Sequence, residues 1–78
     1  MKVTIRTFGP LCAHLPGQQL SLEGNCTLKE LNLLLQQQFP SIQQFPYIFA
    51  INKQIITDPD VTLNNGDEIA LLPPFSGG

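Results

Sequence analysis

The chain has 78 residues, of which 13% are charged, and a formal net charge of −2 at pH 7. From this length we expect one domain and no second one, and four Lys and Arg residues provide no basic stripe for phosphates. We therefore expect no nucleic-acid binding, and a neutral or apolar surface that favours a protein partner.

No apolar stretch approaches the roughly 18 residues needed to cross a bilayer, and the N-terminus lacks the apolar core of a signal peptide. We therefore expect no membrane association and a cytoplasmic location. In that compartment Cys12 and Cys26 are expected to remain free thiols.

The first half of the chain begins with a strand. Residues 1–7 alternate between polar and apolar side chains, as a half-buried strand does. The segment Phe8-Gly9-Pro10 breaks this pattern, and residues 11–15 are predicted to form a single helical turn. Residues 19–22 alternate again, which indicates a short second strand returning beside the first.

A helix is predicted after Thr27. Thr27 and Glu30 have the spacing of a capping box, in which each side chain bonds to the other residue's backbone amide. Four leucines follow at helical intervals and predict an apolar stripe that faces a core, formed by Leu28, Leu31, Leu34 and Leu35. The helix is expected to end near Phe39, because Pro40 cannot continue it.

The second half of the chain predicts three more strands. Residues 47–51 are β-branched and aromatic enough for a strand, and the turn Asn52-Lys53 leads to a return strand over 54–56. Residues 64–67 are predicted to form a tight turn before the last strand, 68–72. The continuous apolar run in this strand indicates a central place in the sheet.

The element order β, β, α, β, β, β predicts an α+β fold of the β-grasp, or ubiquitin-like, type. This fold has a mixed five-stranded sheet with one long helix packed on one face. We assign residues 1–72 to this domain and residues 73–78 to an extended C-terminal tail.

The predicted tail combines two prolines with two glycines. Pro73 and Pro74 favour an extended path, while Gly77 and Gly78 carry no Cβ that would block entry into a narrow cleft. In the extended geometry of about 3.1 Å per residue, residues 73–78 reach roughly 19 Å. The alternative is an ordinary frayed terminus.

Three segments of the second half are distinctive: Ala50-Ile51-Asn52, the segment Leu63-x-x-Gly66-Asp67-Glu68-Ile69-Ala70, and Leu72-Pro73-Pro74-Phe75-Ser76-Gly77-Gly78. Together they closely resemble the small subunit of molybdopterin synthase. The resemblance covers the whole chain in length and element order. A second candidate is the sulfur carrier of thiamine biosynthesis, which also ends in Gly-Gly but usually lacks the paired prolines.

The resemblance implies a sulfur carrier rather than an enzyme, with no cofactor and no metal. In that family an E1-like enzyme adenylates the C-terminal carboxylate, here that of Gly78, and a sulfur donor protein converts it to a thiocarboxylate. The tail then enters the large catalytic subunit of molybdopterin synthase. There the sulfur is transferred to a pyranopterin precursor during molybdenum cofactor biosynthesis.

The residues before Gly78 are the predicted partner-binding site: Leu72, Pro73, Pro74, Phe75, Ser76 and Gly77. Leu72 and Phe75 are expected to anchor the tail on the large subunit, since apolar side chains that fill partner pockets dominate binding energy. Alternatively, Phe75 packs back onto its own sheet.

Three further residues are candidates for the sheet face that the helix leaves uncovered: Arg6, Phe8 and Ala70. They contribute to a partner surface or are merely solvated. A metal site is not expected, because His14 has no second ligand at a recognisable spacing. Two other functions remain open, a ubiquitin-like protein modifier and a plain β-grasp interaction module.

Overall fold

The computed structural model describes residues 1–74. It contains five strands and one α-helix: β1 (Lys2–Thr7), β2 (Gln18–Ser21), α1 (Leu28–Gln38), β3 (Ile48–Ile51), β4 (Gln54–Ile56) and β5 (Glu68–Leu72). Short 3₁₀ helices span Gly9–Ala13 and Pro40–Gln44.

The five strands form one mixed sheet in the order β2-β1-β5-β3-β4. Strands β1 and β5 are parallel, whereas the other three pairs are antiparallel. Strand β5 therefore lies in the centre of the sheet, as its continuous apolar run predicts. With α1 packed on one face, the structure confirms the predicted β-grasp fold.

The predicted capping box starts α1. The Thr27 hydroxyl accepts a hydrogen bond from the Glu30 amide at 3.2 Å, and the Thr27 amide donates to Glu30 Oε1 at 2.9 Å. These bonds satisfy backbone donors that have no partner within the first helical turn. At the other end Phe39 caps the helix and Pro40 begins a 3₁₀ helix, which confirms the predicted stop.

The core lies between α1 and one face of the sheet. Its helix side comes from Leu28, Leu31 and Leu35, while Leu34 is only partly buried. The sheet contributes alternate residues of its strands, and the fully buried ones are Val3, Ile5, Ile69 and Leu71. Because side chains alternate along a strand, the intervening residues point to the opposite face, which α1 does not cover. We call this second surface the open face.

Two connections differ from the sequence-based expectation. The segment after α1, where the sequence pattern predicts no helix or strand, contains a 3₁₀ helix, Pro40–Gln44. Proline at its start fixes φ near the helical value, and fully buried Ile42 holds the turn against the core. The helical turn after β1 spans Gly9–Ala13 and so begins two residues earlier than predicted.

Among residues 1–74, no helix combines the length and the apolar character that a bilayer crossing requires.

Candidate functional site

The described part of the predicted site is the segment where the chain leaves the sheet. Leu72 ends β5 and is partly buried, whereas Pro73 and Pro74 are exposed and belong to no strand. We call these three residues the tail root. The other predicted site residues lie outside the described residues: Phe75, Ser76, Gly77 and Gly78.

The loop after β1 supports the tail root. In the parallel ladder Thr7 is paired with Leu71, and the same register extended by two residues brings Gly9 beside Pro73. A Cβ added to Gly9 would lie 3.3 Å from Pro73 Cγ, so the proline ring rests on a backbone without a side chain. Proline has no N–H that could continue the ladder as a donor, so Pro73 meets Gly9 through a packing contact.

An apolar patch continues from the tail root across the open face. The register pairs Ile48 with Leu72, and Ala50 with both Ala70 and Ile55. These five residues, Ile48, Ala50, Ile55, Ala70 and Leu72, form the patch. None of them belongs to the core cluster, although Ala50 is buried at 4% exposure by its neighbours. At 54% exposure, Ile55 offers the most accessible apolar side chain of the patch.

The β1 side of the patch carries one aromatic side chain and one pair of opposite charges. Arg6 lies opposite Ala70 in the ladder, and its Nη1 is 3.6 Å from Glu68 Oε2. The Arg6 guanidinium carbon lies 5.9 Å from the centre of the Phe8 ring, within cation–π distance. Phe8 itself is 41% exposed. The structure thus places Arg6 and Ala70, two of the predicted residues, on the open face, with Phe8 beside them.

The segment Gly66-Asp67-Glu68, which leads into β5, has a structural role. Asp67, a buried carboxylate, accepts hydrogen bonds from the Asn52 side-chain amide at 2.9 Å and from the Asn64 backbone amide at 2.7 Å. The Asn52 side-chain oxygen in turn accepts from the Glu68 amide at 3.0 Å. These bonds tie the β3–β4 turn to the start of β5, and Gly66 makes the preceding turn at a φ of +88°. We call this set of bonds the Asp67 clamp.

A groove of about 690 Å³ lies on the other side of the sheet, between α1 and the β3–β4 edge. Tyr47 crosses it, donating a hydrogen bond to Asn32 Oδ1 at 2.6 Å and accepting one from Gln36 at 3.1 Å. Lys29 supplies the cationic side chain of the lining, which contains no histidine, cysteine or carboxylate. The groove is therefore amphipathic and open, and at Ile48 its lining reaches the residue that pairs with Leu72 of the tail root.

The cysteines and the histidine occupy separate positions. Cys26 is buried, and this burial, reinforced by the Glu30 carboxylate, raises the pKa of its thiol. Cys12 is exposed and its thiol donates to the Thr7 carbonyl at 3.2 Å. His14 lies 3.0 Å from the Ser41 hydroxyl and packs on the Phe45 ring. Across residues 1–74, no three His, Cys, Asp or Glu side chains are grouped as metal ligands.

Sequence reasoning missed three members of the apolar patch, Ile48, Ala50 and Ile55. Residues 47–51 are all apolar or aromatic, so their alternation between two faces is hidden in the sequence. The predicted two-residue turn Asn52-Lys53, at which the structure has positive φ values of 50° and 73°, fixes the hairpin register that locates them. That register places Ala50 opposite Ile55.

Known proteins resemble this chain in sequence. A family model described as the ThiS family matches residues 6–78. A molybdopterin synthase sulfur carrier subunit from Dictyostelium discoideum is 47% identical over 32 residues, which are 40% of this chain and 37% of that relative. The alignment thus spans little more than a third of the relative's length.

Two solved structures resemble the whole fold. A chain from the complex of subunits 1 and 2 of the molybdopterin-converting factor of Helicobacter pylori is 31% identical, with a TM-score of 0.78 and full coverage of both chains. Small archaeal modifier protein 1 of Haloferax volcanii has a TM-score of 0.77 at 17% identity, covering 95% of this chain and 98% of its own. At that identity the second likeness concerns the fold alone.

Proposed function

This chain belongs to the ThiS family, and we propose that it is a sulfur carrier that serves as the small subunit of a molybdopterin synthase. The Helicobacter pylori protein supports this assignment, since it is similar over its full length and its structure is that of a two-subunit complex. The name of the Dictyostelium relative supports the same role.

The proposed reaction takes place at the carboxylate of Gly78. An E1-like enzyme joins this carboxylate to the adenylate of ATP and releases pyrophosphate. A sulfur donor protein then supplies the sulfur that displaces AMP, which leaves a thiocarboxylate. In the large subunit this sulfur passes to a pyranopterin precursor, and water restores the carboxylate. Adenylation is needed because a free carboxylate is a poor acyl donor until one oxygen becomes part of a leaving group.

One observation carries the proposal: the tail root leaves the centre of the sheet at the border of an exposed apolar patch. Leu72 belongs to both, and exposed Pro73 and Pro74 continue the chain outside the sheet. A partner that covers the patch therefore also contacts the tail root, the last described segment before residues 75–78. In this proposal the Gly77-Gly78 pair enters the partner's catalytic cleft, where the absence of Cβ atoms reduces crowding.

The partner contacts of the proposal divide between patch and tail. Leu72 and Phe75 anchor the carrier, because large apolar side chains that fill pockets supply most of an interface's binding energy. Pro73, Pro74 and Ser76 contribute the extended backbone between the anchors and the reacting end. The adenylating enzyme and the sulfur donor complete the list of proposed partners.

The proposal is tested by expressing the carrier together with its adenylating enzyme and sulfur donor and measuring its intact mass. The expected product is heavier by the exchange of one oxygen for one sulfur, and a variant lacking Gly78 remains unmodified. Incubation of the product with the large subunit and the pterin precursor should return the original mass. An unmodified wild-type chain under these conditions would overturn the proposal.

The same preparation separates the alternative functions. A protein modifier gives conjugates in which Gly78 is joined to lysines of other proteins, visible as a ladder above the free carrier. A carrier of the thiamine pathway forms the thiocarboxylate but does not transfer its sulfur in the presence of the molybdopterin synthase large subunit. The role proposed here is supported if the carrier binds the large subunit and the Phe75→Ala variant binds it with lower affinity.

A further inference from the structure

Arg6 is a cationic side chain on the open face beside the tail root. It lies opposite Ala70 in the β1–β5 ladder, and Ala70 precedes Leu72 by two residues. Its guanidinium lies near the Phe8 ring, and its side chain is 55% exposed. A partner that covers the patch and reaches the tail root therefore also covers Arg6.

Among residues 1–74, the pairing of Arg6 is incomplete. A guanidinium has five N–H donors, whereas the Arg6–Glu68 contact is a single approach at 3.6 Å, longer than a hydrogen bond. Exposed ion pairs of this kind contribute little to stability, since water solvates both groups. When a partner removes that water, the donors need new acceptors, because an unpaired buried charge is strongly unfavourable.

We infer that the large subunit places a carboxylate side chain opposite Arg6 and thereby recognises this carrier beside its tail root. The inference rests on the proposed function, which brings the large subunit over the patch. A carboxylate accepts two parallel hydrogen bonds from a guanidinium, which matches the donors that Glu68 leaves free. Phe8 supplies the aromatic neighbour that often accompanies arginine at the energetic centre of an interface.

The first test compares two variants that each remove one positive charge from the same face of β1. Arg6→Gln removes the charge at the tail root, and Lys2→Gln removes the charge at the start of the strand, where Lys2 is paired with Ser21. The dissociation constant of each full-length carrier is measured by calorimetry with the large subunit of the same organism. We expect about a tenfold increase for Arg6→Gln and less than about twofold for Lys2→Gln. Their melting temperatures should stay close to that of the wild type.

A second comparison identifies the acceptor as a carboxylate. Arg6→Glu should bind more weakly than Arg6→Gln, because it sets one carboxylate against another, while Lys2→Glu reports the effect of overall charge. Equal affinities of the two Gln variants, or an Arg6→Glu variant that binds as well as Arg6→Gln, would overturn the inference alone. Absence of binding by the wild-type carrier would instead overturn the proposed function on which it rests.

Discussion

The Asp67 clamp predicts a large stability loss from a change of one atom. In Asp67→Asn an acceptor oxygen becomes an NH₂ group, which must face either the Asn52 amide or the Asn64 backbone N–H, both of them donors. Asn52 is unable to compensate by reversing its amide, because its oxygen already accepts from the Glu68 backbone. One hydrogen bond of the clamp is therefore lost, and a buried donor remains without a partner.

The size of the effect follows from the charge on the lost acceptor. A hydrogen bond to a charged group contributes about 1.5–3 kcal/mol, so we expect the free energy of unfolding to fall by about 2 kcal/mol. In a domain of this size, that loss corresponds to a decrease in melting temperature of roughly 8–16 °C. Urea denaturation followed by circular dichroism measures the first quantity, and a thermal scan measures the second.

The matched control is Asp58→Asn, the same chemical change in an exposed turn where Asp58 accepts one bond from the Asp60 amide at 2.9 Å. We expect its stability to stay within about 0.5 kcal/mol of the wild type. Equal stability of the two variants would refute the structural role of the clamp. A loss of partner affinity in folded Asp67→Asn without a loss of stability would assign Asp67 to the interface instead.

Three further predictions concern the tail root and the thiols. Gly9→Ala and Gly24→Ala introduce a side chain at nearly the same left-handed φ, +64° and +61°, and each should cost about 1–2 kcal/mol of stability. In the first variant alone the new Cβ meets Pro73, so partner affinity should fall there and stay unchanged in Gly24→Ala; equal affinities would show that the contact does not position the tail. Iodoacetamide at neutral pH should label exposed Cys12 well before Cys26, as followed by intact mass, and equal rates would contradict the burial of Cys26. Burial raises the pKa of the Cys26 thiol, so the folded state favours the neutral thiol. This stabilisation is complete below the ordinary thiol pKa and is lost as pH rises through the raised value. Between neutral and alkaline pH, the free energy of unfolding measured by urea denaturation should therefore decrease less for Cys26→Ala than for the wild type.

Local signals in the sequence were sufficient to predict the fold. The capping box at Thr27 and the leucine stripe depend on residues within one or two helical turns, and the structure confirms both. The structure confirms the central place predicted for β5, whose apolar run serves both faces of the sheet: Ile69 and Leu71 face the core, and Ala70 and Leu72 belong to the patch. These signals agree with one another, which leaves few alternative arrangements of a chain of this length.

The candidate site depends on distant contacts that no local pattern contains. Gly9 meets Pro73 only because β1 and β5 pair in parallel with a particular register. The Arg6–Glu68 pair arises from the same ladder, and Ala50 joins the patch through its pairing with β4 and β5. The sequence suggested an uncovered face with Arg6 and Ala70. The other apolar residues of that face could be identified only once the sheet order and the registers of β3 were known.

The decisive measurement for the sulfur-carrier function is the intact mass of the carrier after incubation with ATP, the adenylating enzyme and the sulfur donor. We predict that the wild-type chain gains the mass of one oxygen-to-sulfur exchange at Gly78. We also predict that a chain with one residue added after Gly78 folds with the same melting temperature and gains nothing. A wild-type chain that stays unmodified, or an extended chain that acquires the sulfur equally well, would contradict this function.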